Sequence, residues 1–169
     1  FLCVGTPTGG GEFGHAADLT ALKAAARAAS NALGEADDVL LVIRSTVPPG
    51  TTQDRLAPIL EKASGEKLGR RIHLAFNPEF LREGRSVRDF RQPPFTIIGA
   101  MSDEAFATVA ALYAGVESEI IRTDAATAES IKLLSNAWHG LKVSFANEAA
   151  RILKAAGVDA RRALEIFAK

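Results

Sequence analysis

Short apolar runs that do not alternate with polar residues are the strongest constraint on how this chain folds. Phe1 to Val4 and Val39 to Ile43 are the clearest, and weaker runs follow at Ile72 to Phe76, Phe95 to Ile98 and Ile120 to Ile121. A strand with one wet face alternates, whereas an unbroken run of Val, Ile and Leu needs cover on both faces, as in a parallel sheet. Between the runs lie Asp18 to Leu33, Thr52 to Lys62 and Asp103 to Tyr113, all of helical character, the last preceded by Ser102 as an N-cap. Strand alternating with helix predicts an α/β fold with βαβ units and right-handed crossovers.

From Asp124 the pattern changes. Gly and Pro vanish until Gly157, Gly140 excepted, and apolar residues recur at Ala128, Ile131, Leu134, Trp138, Leu141, Phe145, Ala149 and Ile152. Steps of three and four mark one long helix, and about thirty residues at ~1.5 Å each reach roughly 45 Å. A helix longer than a small domain is wide bridges two domains or pairs in a dimer. Gly157 is its expected stop, Ala160 to Ala168 reads as a second helix, and Thr8-Gly9-Gly10-Gly11 reads as a loose loop.

Composition excludes several classes. The 169 residues are 47% hydrophobic and 24% charged, the balance of a folded domain and not of a disordered chain. Twenty basic residues cancel twenty acidic ones, so no global field draws the chain to nucleic acid or to a membrane surface, and a phosphate-bearing ligand must be held locally. No apolar stretch approaches the ~20 residues that span a bilayer, no export signal is visible, and no metal site is expected. The single Cys3 excludes a disulfide framework; it reads as a small core residue in a reducing, cytoplasmic setting. The chain opens in mid-strand on Phe1 without a methionine, which predicts further native sequence upstream.

In an open α/β sheet, ligands bind beyond the carboxyl ends of the strands. Three such ends carry chemistry. In Val4-Gly5-Thr6-Pro7 a small residue admits a ligand to the backbone and a hydroxyl can donate to phosphate or ribose; the alternative is an ordinary loop. Arg44-Ser45-Thr46-Val47-Pro48-Pro49-Gly50-Thr51 places two hydroxyls and a helix N-terminus where an anion would fit, or is a plain Pro-Pro-Gly turn. In Asn77-Pro78-Glu79-Phe80-Leu81-Arg82-Glu83-Gly84 two carboxylates lie four apart. On a helix they would share one face, as a general base and a hydrogen-bond acceptor or as a solvated turn. On the long helix Lys132, Asn136, His139 and Asn147 fall within roughly an 80° arc. A lysine, two amides and an imidazole in one row, flanked by apolar residues, suit a cleft that holds phosphate, sugar hydroxyls and a developing oxyanion; the alternative is a wet surface stripe.

In order and spacing, VGTP, RSTVPPGT, NPEFLREG and IKLLSNAWHGLKVSFANE resemble the UDP-glucose/GDP-mannose dehydrogenase family over almost the whole chain. The resemblance implies that residues 1–124 are the latter part of a Rossmann-like, NAD-binding parallel sheet with flanking helices. Residues 125–169 would be the long connecting helix and the start of an all-α middle domain that forms a homodimer. It implies oxidation of a sugar C6 alcohol to a carboxylate in two NAD-dependent steps through a cysteine thioester. Thr6 and Thr46 would contact NAD, and Glu83 would lie where cofactor and sugar meet. Glu79 would be the base for hydrolysis, and Lys132 with Asn136 would hold the sugar and stabilise charge on the reacting oxygen. Asn147 would touch the nucleotide sugar. Trp138-His139 and Phe145-Ala146-Asn147-Glu148 are similar to the GDP-mannose branch, which makes His139 a substrate ligand and GDP-mannose the expected substrate, with a UDP-sugar as the alternative.

The Gly-rich fingerprint and the Gly-Gly-Ser-Cys nucleophile segment of that family have no counterpart here, so the chain alone is expected to be inactive. Two other readings remain: a non-catalytic helical assembly module, and a β-hydroxyacid-type dehydrogenase, which leaves Glu79 and Glu83 unexplained.

Overall fold

In the computed structural model, which describes residues 1–11, 14–32 and 38–169, the apolar runs pair much as their composition demands. Strands β1 (Thr8–Gly11) and β2 (Gly14–Ala17) precede helix α1 (Thr20–Ala32) and strand β3 (Val39–Ile43). A π-helical turn (Thr51–Leu56) runs into α2 (Ala57–Ser64), and β4 (Ile72–Phe76), α3 (Ser86–Arg91), β5 (Phe95–Ala100), α4 (Asp103–Ala111) and β6 (Glu119–Thr123) follow. The chain ends in α5 (Ala125–Ala155) and α6 (Ala160–Phe167). It divides into two units, residues 1–133 and 134–169, with the division inside α5.

The first unit is built on a four-stranded sheet in the order β3-β4-β5-β6. Leu41, Ile43, Leu74, Phe76 and Ile97 face one core with Leu22, Leu56 and Leu60, while Val42, Ala75 and Ile98 face another with Val109 and Tyr113. Cover on both faces is why these strands read as unbroken apolar runs. β3–β4 and β5–β6 pair in parallel, but β4–β5 is antiparallel, registered only at Ala75↔Ala100 and Phe76↔Gly99. The expected all-parallel sheet is therefore corrected at one seam. The link between β4 and β5, residues 77–94, holds one helix, the six-residue α3.

Other expectations need revision. Thr8–Gly11 is not a loose loop, since it pairs with Gly14–Ala17. The helix expected from Asp18 begins at Thr20, and its expected end, Leu33, lies outside the described residues. Leu2 bridges Ile43 in parallel at the sheet edge. There Leu2 and Val4 pack on the core while Phe1 and Cys3 face out, so Cys3 is exposed and not a core residue. An edge segment covered on one face alternates, whatever its composition. Ser102 caps α4 as expected, its side chain accepting the Ala105 amide.

Gly99 fixes where α5 starts: a Cβ there would lie 2.7 Å from Ala125 Cα and 2.9 Å from Ala128 Cβ. The first turn of α5 therefore lies directly on β5. In the second unit Asp159 caps α6 by accepting the Arg162 amide, and Phe145 and Phe167 pack with centroids 5.7 Å apart. No helix among the described residues is long and apolar enough to cross a membrane.

Candidate functional site

Asn77, immediately after β4, is fully buried and fixes the segment that follows. Its Nδ2 donates to the Ile97 carbonyl at 2.8 Å, and its Oδ1 accepts from Arg44 Nη1 at 2.7 Å and from the Tyr113 hydroxyl. Beyond buried Pro78 the chain presents Glu79, whose Oε1 accepts from Lys132 Nζ of α5 at 2.9 Å. Lys132 is only 5% exposed, and its ammonium lies 5.5 Å from the Phe80 ring centroid. A buried ammonium without a partner would be strongly destabilising, and Glu79 and the ring are the partners this one has among the described residues. Burial pushes the Glu79 carboxyl up, but the Lys132 hydrogen bond, the Leu81 amide and the Lys132 and Arg44 charges together hold it below its ordinary range. An ionised carboxylate beside a fixed cation can accept a proton and stabilise an oxyanion at neighbouring positions.

The expected Glu79–Glu83 helix face is not formed: residues 77–82 have no regular secondary structure, 83–85 turn, and Glu83 is exposed. Side chains take the amides a helix would use, Glu79 Oε2 accepting Leu81 N at 2.6 Å and Asp89 Oδ2 accepting Arg82 N at 3.0 Å. Arg82 also grips Asp89 through Nε and Nη2, and that pairing holds the Asp89 carboxyl down at about 2.

Thr6 and Thr46 come together where the Leu2 segment and β3 end: the Thr6 hydroxyl donates to the Thr46 carbonyl at 2.6 Å. The Thr6 proton is thus engaged, leaving its lone pairs as acceptors, and the space beside Gly5 is open. Ser45 is buried and stitches Val4, accepting its amide at 2.9 Å and donating to its carbonyl at 2.7 Å.

The helix N-terminus expected to attract an external anion holds one from the chain itself. Glu129, fully buried, accepts from Gly50 N at 2.6 Å, Thr52 N at 2.8 Å and Thr52 Oγ1 at 2.6 Å. Burial raises its carboxyl above the ordinary range against these three donors. Sequence reasoning missed this residue. The available signal was an acidic side chain in the row Ala125, Ala128, Glu129, Lys132, all buried.

The helical stripe is not uniformly sheltered. Lys132 is buried, whereas Asn136, His139 and Asn147, in the second unit, are exposed, as are Leu134, Trp138, Leu141 and Phe145. Among the described residues no three His, Cys, Asp or Glu side chains are grouped as a metal site.

Residues 1–117 match the sequence model of the UDP-glucose/GDP-mannose dehydrogenase family, NAD binding domain, and residues 126–169 match that of the same family's central domain. The chain is 41% identical over 166 residues to a GDP-mannose 6-dehydrogenase of Azotobacter vinelandii, covering 98% of this chain and 37% of that protein. It superposes with a TM-score of 0.90 and 37% identity on a ternary complex of GDP-mannose dehydrogenase from Pseudomonas aeruginosa, covering 97% of this chain and 37% of the other. A UDP-glucose dehydrogenase from the archaeon Pyrobaculum islandicum gives a TM-score of 0.87 at 37% identity, with 98% and 37% covered.

Proposed function

The chain belongs to the UDP-glucose/GDP-mannose dehydrogenase family, and from that premise we propose that it supplies part of the active site of an NAD-dependent nucleotide-sugar 6-dehydrogenase that oxidises GDP-mannose to GDP-mannuronate. Residues 1–124 serve the cofactor and 125–169 begin the helical middle part, through which two copies pair. One observation carries the reading: the buried Lys132 ammonium meets the Glu79 carboxylate at 2.9 Å, a pairing the fold brings together from the segment after β4 and from α5.

The residues at the strand ends fit NAD. Two parallel segments end side by side, the space beside Gly5 is open, and Thr6 and Thr46 already lie within hydrogen-bond reach of each other. Thr6 acts there as an acceptor for ribose hydroxyls, with Thr46 beside it and exposed Glu83 toward the sugar. NAD, when bound, supplies the hydride acceptor for both oxidations. Lys132 and Asn136 hold the C6 oxygen and stabilise its negative charge, and Glu79, kept ionised by Lys132, takes the proton of the water that hydrolyses a cysteine-bound acyl group. Cys3, at the sheet edge, is not that cysteine. His139 and Asn147 bind the nucleotide sugar.

The preference for GDP-mannose rests on Trp138-His139 and on the identity to the Azotobacter vinelandii enzyme. The likeness to a UDP-glucose dehydrogenase makes a UDP-sugar the second reading. A chimera in which this chain replaces the matching part of the Azotobacter vinelandii enzyme separates them: NADH formation from GDP-mannose and not from UDP-glucose supports the proposal. The reverse preference overturns the substrate assignment, and a folded chimera that forms NADH from neither overturns the function.

A further inference from the structure

We propose that Glu129 is a positioning residue: its carboxylate locks α5 onto the Gly50–Thr52 turn and thereby sets Lys132 against Glu79. The functional weight of this inference rests on the roles given above to Glu79 and Lys132. Its geometry does not.

Glu129 precedes Lys132 by three residues on α5, so the two side chains leave the same face of the helix, nearly one turn apart. Both oxygens of Glu129 are engaged, Oε2 by Gly50 N and Oε1 by the amide and hydroxyl of Thr52. Two oxygens gripped by one turn fix both the height and the rotation of the helix, which a single bond would not. Gly50 has φ +82°, a conformation that L side chains rarely adopt, and its amide donates to the carboxylate at 2.6 Å. The packing of Ala125 and Ala128 on Gly99 sets how closely α5 approaches the sheet, but small apolar contacts leave sliding and rotation cheap. Glu129 supplies the directional constraint they lack. The same turn follows Thr46 in the loop that receives Thr6. One buried carboxylate thus ties the loop at the cofactor end of β3 to the helix that carries the cation.

The consequence is read at Glu79, 50 residues from Glu129 in sequence. Among the described residues, the charged groups that face Glu79 are Lys132 on α5 and Arg44 after β3. If α5 loses its register, Lys132 leaves Glu79, and the Glu79 carboxyl loses the leading hydrogen bond that holds it down. Side-chain carboxyl NMR titrations of Glu79 in this chain test the point without NAD or sugar. Lys132→Gln gives the full upward displacement of the Glu79 midpoint. Glu129→Gln and Thr52→Val, neither of which touches Glu79, are expected to move it in the same direction. Amide exchange at Gly50 in Glu129→Gln should speed up by about tenfold or more. Leu60→Val, a core change of comparable cost, should leave the Glu79 midpoint in place. If Glu129→Gln does not fold, Thr52→Val carries the test. A Glu79 midpoint that coincides with wild type in the Glu129 and Thr52 variants overturns the proposal, as does one displaced equally by Leu60→Val. Failure of the chimera to oxidise any nucleotide sugar would remove the functional reading and leave this titration result standing.

Discussion

Lys132 Nζ lies 2.9 Å from Glu79 Oε1 although 53 positions separate them, and the lysine is the more deeply buried partner, with 6% of its side chain exposed against 31% for Glu79. Removing the carboxylate therefore leaves a nearly buried cation whose remaining neighbour of note, among the described residues, is the Phe80 ring. Glu79→Ala is expected to lower unfolding stability by about 2–3 kcal/mol, and Glu79→Gln, which keeps an acceptor, by less. Denaturant titration of both variants checks this. Equal losses would show that charge is not what Lys132 requires.

The network around Asn77 predicts a steeper cost. Asn77→Ala would leave the Ile97 carbonyl, Arg44 and the Tyr113 hydroxyl each short of a bond, for a loss of about 2–4 kcal/mol. Tyr113→Phe removes one hydroxyl and should cost about 1 kcal/mol. Melting curves that rank the two in the opposite order would contradict the network as drawn.

Gly99 has no room for a side chain. Because the obstruction is the α5 backbone at Ala125, Gly99→Ala should cost about 1–3 kcal/mol by overpacking and should displace the first turn of α5. A melting temperature unchanged from wild type would show that α5 does not sit where it is placed here.

Two carboxylates give pH effects of opposite sign. Asp89, held down at about 2 by Arg82 against an ordinary 3.8, stabilises the fold above its ordinary value, and that contribution is lost as pH falls through about 2. Asp89→Asn should flatten the stability profile in that window. Glu129 is raised above its ordinary 4.5, so the folded state retains its proton longer and stability falls as pH climbs through the raised value. Glu129→Gln should remove that decline. Urea midpoints measured against pH for both variants provide the check, and parallel profiles for variant and wild type would contradict the assignment.

Much of the architecture was legible because it follows from local pattern. Non-alternating runs marked β3 and β4, Ser102 marked the start of α4, and three-and-four spacing marked α5. What escaped depended on side-chain partners and on cover that spacing alone does not show. The NPEFLREG segment has helical spacing, yet Glu79 and Asp89 take the amides of Leu81 and Arg82 and hold it out of a helix. Cys3 reads as core by residue type but lies on the uncovered face of an edge segment. Glu129 drew no expectation from the sequence because Gly50 and Thr52, which donate to it, lie 77 or more positions away. The family's motifs pointed to Glu79 and Lys132 separately, but their contact across 53 positions was not legible in the spacing.

The central claim is that Lys132 and Glu79 act on the sugar and do not merely hold the fold. Steady-state kinetics of the chimera with GDP-mannose, comparing Lys132→Met and Glu79→Gln with the parent, tests it most directly. Removing a transition-state contact or a general base costs about 10²–10⁴-fold in rate, so kcat should fall by that much in each variant while KM for NAD changes by no more than about threefold. Folded variants that turn over within about threefold of the parent would contradict the account.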